Sequence, residues 1–132
     1  MGKFPALHAQ LLDEGLLQPR DVVAPRQADW SDTADYLNAL ASGTLSKRAE
    51  RRMGLPWSNR LVYRSRVAVQ GTLNAAMMAL EDGLAANLAG GTHHAMPGHG
   101  EGFCVLNDVA VAIRVLQQAC WIRRVCIVDL DV

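Results

Sequence analysis

The sequence predicts an α/β fold, on three observations. Apolar residues recur at helical spacing through much of the first 83 residues. Two apolar runs, 84–88 (LAANL) and 125–132 (VCIVDLDV), read as buried strands, the second as a central parallel one. Between them lies an apolar helix (VAVAIRVLQQA), which completes a strand–helix–strand unit.

Taken in order, residues 4–17 carry Leu7, Leu11, Leu12 and Leu16 on one helical stripe. Pro19 and Pro25 bracket a loop. Ser31 or Asp32 is placed to cap a helix that runs to about Ala41 and ends at Gly43. A short basic helix follows Ser46 and stops at Gly54. After the Pro56-Trp57 corner, Ser58 caps a long helix through Leu80 that ends at Gly83. Gly71 inside it marks either a break or a close packing contact, because glycine costs about 1 kcal/mol relative to alanine in a helix. Leucine and alanine alone then fill most of 84–88, and Gly90-Gly91 ends that run. Asn107 or Asp108 caps the last helix, through about Ala119.

Composition narrows the function classes. A chain of 132 residues fits one domain at most. Half hydrophobic and 20% charged is a globular composition, not a disordered one. Thirteen basic and 13 acidic side chains balance, which argues against nucleic-acid binding through bulk charge. The basic stretch from Lys47 to Arg66 reads as a solvated helical cover. No window approaches 18 uninterrupted apolar residues, and the N-terminus has no secretory pattern, so neither a membrane nor export is predicted. Cys104, Cys120 and Cys126 are odd in number and form no CxxC pair, which suits a reducing cytoplasm. Charge is uneven: residues 84–132 hold three basic and four acidic residues. That segment reads as an interior and residues 1–83 as its helical cover.

Ligands in open α/β sheets bind beyond the carboxyl ends of the strands, and the polar residues of interest sit there. His93 and His94 follow the first run, behind Gly90 and Gly91. Glycines at that point let the backbone bring imidazoles close to a ligand. A glycine-rich loop with Gly98, Gly100, Gly102 and Phe103 follows and reads as the wall of a narrow substrate site. Asp129 and Asp131 lie on the same side of the second run by alternation. Two buried carboxylates are expensive without partners, so they are candidates to bind metal or orient a histidine. A dinucleotide fingerprint is disfavoured, because the glycines begin about ten residues after the strand instead of immediately. A Cys104 nucleophile is a second disfavoured alternative, since Cys104-Val105-Leu106 reads as buried.

GGTHHA, GEGFCVLND and VDLDV, at these spacings, resemble the zinc-dependent histone deacetylase superfamily, which also holds acetylpolyamine and acetoin-utilisation deacetylases. The stretch 52–58 (RMGLPWS), Gly71-Thr72 and the opening MGKFPALHAQLL resemble its bacterial class IV-like branch. The resemblance implies an arginase/deacetylase-like parallel sheet flanked by helices. It implies metal-assisted hydrolysis of an N-acetylated amine, such as acetyl-lysine in a protein or a small acetylated amine, with release of acetate. In the matching positions, His94 is the main general base and later acid, and His93 holds and polarises the water. Asp129 orients His93 and contributes to a potassium site. Asp131 is the first zinc ligand. Phe103, with Gly102 beside it, lines the acyl-lysine tunnel.

The family continues past the VDLDV block into a histidine-glycine motif that holds the second zinc ligand. A later aspartate is the third, and a later tyrosine stabilises the oxyanion. None of these lies within the 132 residues, and the family's first strand is also absent. Gly98 stands where close bacterial relatives often have an acid. The chain is therefore expected to be the N-terminal portion of one deacetylase domain, with an incomplete Zn2+ ligand set and no activity alone. The reading from a different class is a non-catalytic partner-binding module built on half the pocket.

Overall fold

A computed structural model describes residues 3–16, 18–21 and 35–131. Five helices and one short 3-10 turn, Pro19–Asp21, make up its regular structure. They are α1 (Lys3–Asp13), α2 (Asp35–Ser42), α3 (Lys47–Met53), α4 (Asn59–Asp82) and α5 (Asp108–Gln118). The expected caps at Ser31 and Asp32, and the bend at Pro25, lie outside the described residues.

Local chemistry sets both ends of α3 and α4 and the start of α5. Ser46 Oγ accepts from the Ala49 amide at 3.1 Å and starts α3. Ser58 Oγ accepts from the Leu61 amide at 3.1 Å and starts α4. Each hydroxyl satisfies one of the amides that a first helical turn leaves without a partner. Helices α3 and α4 stop at Gly54 and Gly83, whose left-handed backbone returns an amide to the last turn. Asn107 caps α5, its Oδ1 accepting from the Ala110 amide at 3.0 Å.

The core is built where α2, α3 and α4 meet. Tyr36, Leu40, Met53, Leu61, Val62 and Val105 form one buried cluster. The Trp57 indole N–H donates to the Leu40 carbonyl at 2.7 Å and ties the corner before α4 to α2. The Tyr36 hydroxyl donates to the Val105 carbonyl at 2.8 Å, which fastens the glycine-rich loop to the same core. Burial pushes the Tyr36 phenol up to about 12, against a smaller opposing effect from a hydrogen bond with the Gly100 backbone. Helix α5 packs along α4, burying Ala112 and Leu116. No described helix is long and apolar enough to cross a membrane.

The two expected strands, 84–88 and 125–132, are not strands among the described residues. The only ladder contacts there are two isolated bridges, Met96–His99 and Glu101–Cys104. Asn87 explains the first case. Its carboxamide turns onto α4, donating to the Ala68 carbonyl at 3.0 Å and to Thr72 Oγ1 at 2.8 Å, and its Oδ1 accepts from the Ala89 amide. The segment is irregular up to a turn at Leu88-Ala89, and Leu84 is 87% exposed. Residues 125–131 are irregular, with Val128 and Leu130 at the surface. A strand needs a neighbour for its amides and carbonyls, and no described segment supplies one. The described architecture is thus helix-rich, without the predicted sheet.

Gly71 does not break α4. A Cβ there would lie 3.0 Å from the Asn87 side chain, which two hydrogen bonds hold in place. Gly71→Ala is therefore expected to destabilise the protein by about 1 kcal/mol, although alanine has the higher helix propensity. Chemical denaturation reads this directly, and a stabilised variant would refute the packing assignment.

Candidate active site

The four polar residues of the two motifs converge, and a buried carboxylate builds the loop beneath them. Asp108, at the first position of α5, is fully buried. Its Oδ2 accepts from the Thr72 hydroxyl and from the Gly91 amide at 2.9 Å. Its Oδ1 accepts from the Thr92 amide at 2.7 Å. The Thr92 hydroxyl, with one proton to give, sits between that Oδ1 (2.7 Å) and the Leu106 carbonyl. Burial alone would raise the Asp108 carboxyl, but these hydrogen bonds outweigh it and hold it below the ordinary carboxylate range. Gly90 lies so close that a Cβ would be 2.7 Å from Asp108 Oδ2.

Asn107 works on the next two residues. Its side-chain amide donates to the His93 carbonyl at 3.0 Å and to the Ala95 carbonyl at 3.1 Å. The first turn of α5 therefore grips the backbone at residues 91, 92, 93 and 95.

The imidazoles stand on that backbone. The His93 and His94 rings lie 3.9 Å apart, tilted by 55°. His93 Nδ1 is 3.5 Å from Asp129 Oδ2. His93 Nε2 and His94 Nε2 are each 3.6 Å from Asp131 Oδ2. The Asp131 amide donates to Asp129 Oδ1 at 3.0 Å, which sets the two carboxylates side by side. All four side chains reach solvent, from 32% for His93 to 61% for Asp131.

A spacing of 3.6 Å is long for a direct hydrogen bond. It matches two ligand atoms on one tetrahedral ion, which sit about 3.4 Å apart when each bond is near 2.1 Å. One donor atom each from His93, His94 and Asp131 lies within 4.8 Å of the others. Imidazole nitrogen and carboxylate oxygen are also donors that zinc accepts. The donor chemistry of Asp131 therefore fits a zinc ion, and the two imidazole nitrogens 3.6 Å from its carboxylate are close enough to act either on that ion or on a water beside it.

The wall residues follow. Gly102 abuts His94, where a Cβ would be 3.0 Å from the ring. Phe103 is 68% exposed, and its ring lies on Gly54 at the end of α3. Cys104, the alternative nucleophile, is buried. A separate cavity of about 300 Å³ is bounded by Thr72, Ala75, Ala76, Ala79, Asn87 and Asp108, among others, and by none of the four converging residues.

Asp108, Thr92 and the second role of Asn107 were not legible as site residues. Asp108 read only as a helix cap; Asn107 takes the cap, and Asp108 turns inward to a hydroxyl 36 residues away.

The family model for the histone deacetylase domain matches residues 2–132. An uncharacterized protein of Picosynechococcus sp. is 51% identical over all of this chain and 46% of its own length. Histone deacetylase 2 of Arabidopsis thaliana is 35% identical over 92% of this chain and 34% of its own. The acetoin utilization protein AcuC of Staphylococcus xylosus is 32% identical over 92% of this chain and 35% of its own. The chain thus spans less than half of the first relative and about a third of the other two.

Proposed function

The chain belongs to the histone deacetylase family, and on that premise we propose that it carries the acid–base part of a zinc-dependent deacetylase site. The substrate is N-acetyl-lysine or a related N-acetylated amine, and the products are acetate and the free amine. The observation that supports this best is the convergence of His93 Nε2 and His94 Nε2 on one oxygen of Asp131.

Asp131 would hold the zinc, with further ligands from the assembled domain. When bound, the ion polarises the acetyl carbonyl and makes a neighbouring water more acidic. His94 takes a proton from that water at Nε2 as its oxygen adds to the carbonyl carbon. The same proton passes to the amine nitrogen as the C–N bond breaks. His93 orients the water, and Asp129 at Nδ1 of His93 favours the tautomer that leaves Nε2 free to accept. Asp129 is also the residue we assign to a potassium ion. Phe103 and Gly102 line the passage for the lysine stem and keep bulk water from it. The arginase/deacetylase-like fold of the family would place residues 125–131 as a strand of a parallel sheet. We place the protein in the cytoplasm.

The test is made on the protein that carries this sequence. Asp131→Asn is expected to weaken zinc binding at least tenfold in equilibrium dialysis and to abolish acetate release from an acetyl-lysine peptide. A zinc-loaded protein that hydrolyses neither acetyl-lysine peptides nor acetylated polyamines overturns the reading.

A further inference from the structure

Helix α3 ends beside the glycine-rich loop, and its last turn holds that loop at two points. The Met53 carbonyl, which the helix end leaves unpaired, accepts from the Phe103 amide at 2.9 Å. Arg52 Nη2 lies 3.0 Å from Glu101 Oε2. The same Glu101 oxygen lies 3.2 Å from His99 Nε2. Glu101 thus joins α3 to both halves of the loop.

The loop itself is two tight turns. Met96 and His99 exchange backbone hydrogen bonds at 2.9 and 3.4 Å, and Glu101 and Cys104 do so at 3.0 and 2.8 Å. The corners of the second turn are Gly102 at φ +56° and Phe103 at φ +64°. Left-handed backbone is ordinary for glycine and uncommon for phenylalanine, so contacts outside the turn must hold it. The two to α3 are among them.

We infer that Glu101, gripped by Arg52 and His99, is a positioning residue that holds the Glu101–Cys104 turn against α3 and so sets where Phe103 and Gly102 stand beside His94. Its consequence for substrate rests on the deacetylase reading: the clamp fixes the width of the passage that admits the acyl-lysine stem. Arg52 and Glu101 are about half exposed, and such pairs contribute little to global stability. The effect of the clamp is therefore local. That separates it from a merely structural role.

The experiment compares Glu101→Gln, Arg52→Met, the double variant and Arg52→Lys in the protein that carries this sequence. In hydrogen exchange followed by mass spectrometry, peptides spanning residues 100–105 should exchange about three- to tenfold faster in each disruptive single variant. The double variant should be no faster than the singles, because both remove one pair. Arg52→Lys should recover part of the protection. The thermal midpoint should stay within a few degrees of wild type. With an acetyl-lysine peptide, KM should rise about threefold or more while kcat changes less than twofold. Unchanged exchange over 100–105, additive single effects, or a fall in kcat at constant KM each overturns the clamp. A wild-type protein with no turnover refutes the deacetylase reading and the passage-width consequence, while the exchange comparison still decides whether the clamp exists.

Discussion

Asp108→Ala is expected to cost about 2–4 kcal/mol of folding stability, a large loss for a single polar side chain. The carboxylate is fully buried, and both oxygens accept hydrogen bonds from Thr72, Gly91 and Thr92. Its removal leaves the Gly91 and Thr92 amides and the Thr72 hydroxyl without this acceptor. Denaturant midpoints measure the loss, and a change below about 1 kcal/mol would mean that water or another side chain replaces the carboxylate. Asp108→Asn keeps the volume but turns one acceptor into a donor, so a smaller loss is expected. The two forms should also differ in acid. The folded carboxyl lies below the ordinary aspartate value of 3.8. Its stabilisation is therefore full above that value and is lost as pH falls from there through the folded value. The stability gap between wild type and Asp108→Asn should narrow as pH drops below 3.8. A constant gap down to about pH 2 would show that the ionised form carries none of the effect.

His94→Ala is expected to lower kcat on an acetyl-lysine peptide by about 10²- to 10⁴-fold, the range that a positioned general acid–base contributes. Its Nε2 faces Asp131, and Gly102 packs against its ring, so the imidazole has one side open to substrate. Zinc content should remain near wild type, because the loss is of proton transfer. A fall of less than tenfold would remove His94 from the proton path. A parallel loss of zinc would make it a ligand instead.

What could be read in the sequence followed from how local each signal is. Ser46, Ser58, Gly54 and Gly83 bound α3 and α4 because a cap needs only residues within one turn of it. The dyad, Asp129 and Asp131 stood out on the premise that the two carboxylates are buried; they converge on the histidines, but both are half exposed or more, so burial is not what pairs them. The strands failed because what decides them is not local. Residues 84–88 lose their extended form to one side chain, Asn87, whose partners Ala68 and Thr72 lie on α4. Residues 125–131 have the composition of a strand, but composition cannot supply the neighbour that a ladder requires. Asp108 and the Arg52–Glu101 pair are non-local in the same way. Their partners are 36 and 49 residues away, and no periodicity marks such a pairing.

The joint between α5 and the histidine loop also bears on motion. Asn107 and Asp108 hold residues 91, 92, 93 and 95 from the first turn of one helix. Four hydrogen bonds thus couple the backbone on either side of the imidazoles to that helical turn. Fraying of that turn would free the backbone that carries both imidazoles. Warming that loosens the start of α5 would blur the alignment of the histidines well before the protein melts, so thermal inactivation would precede thermal unfolding.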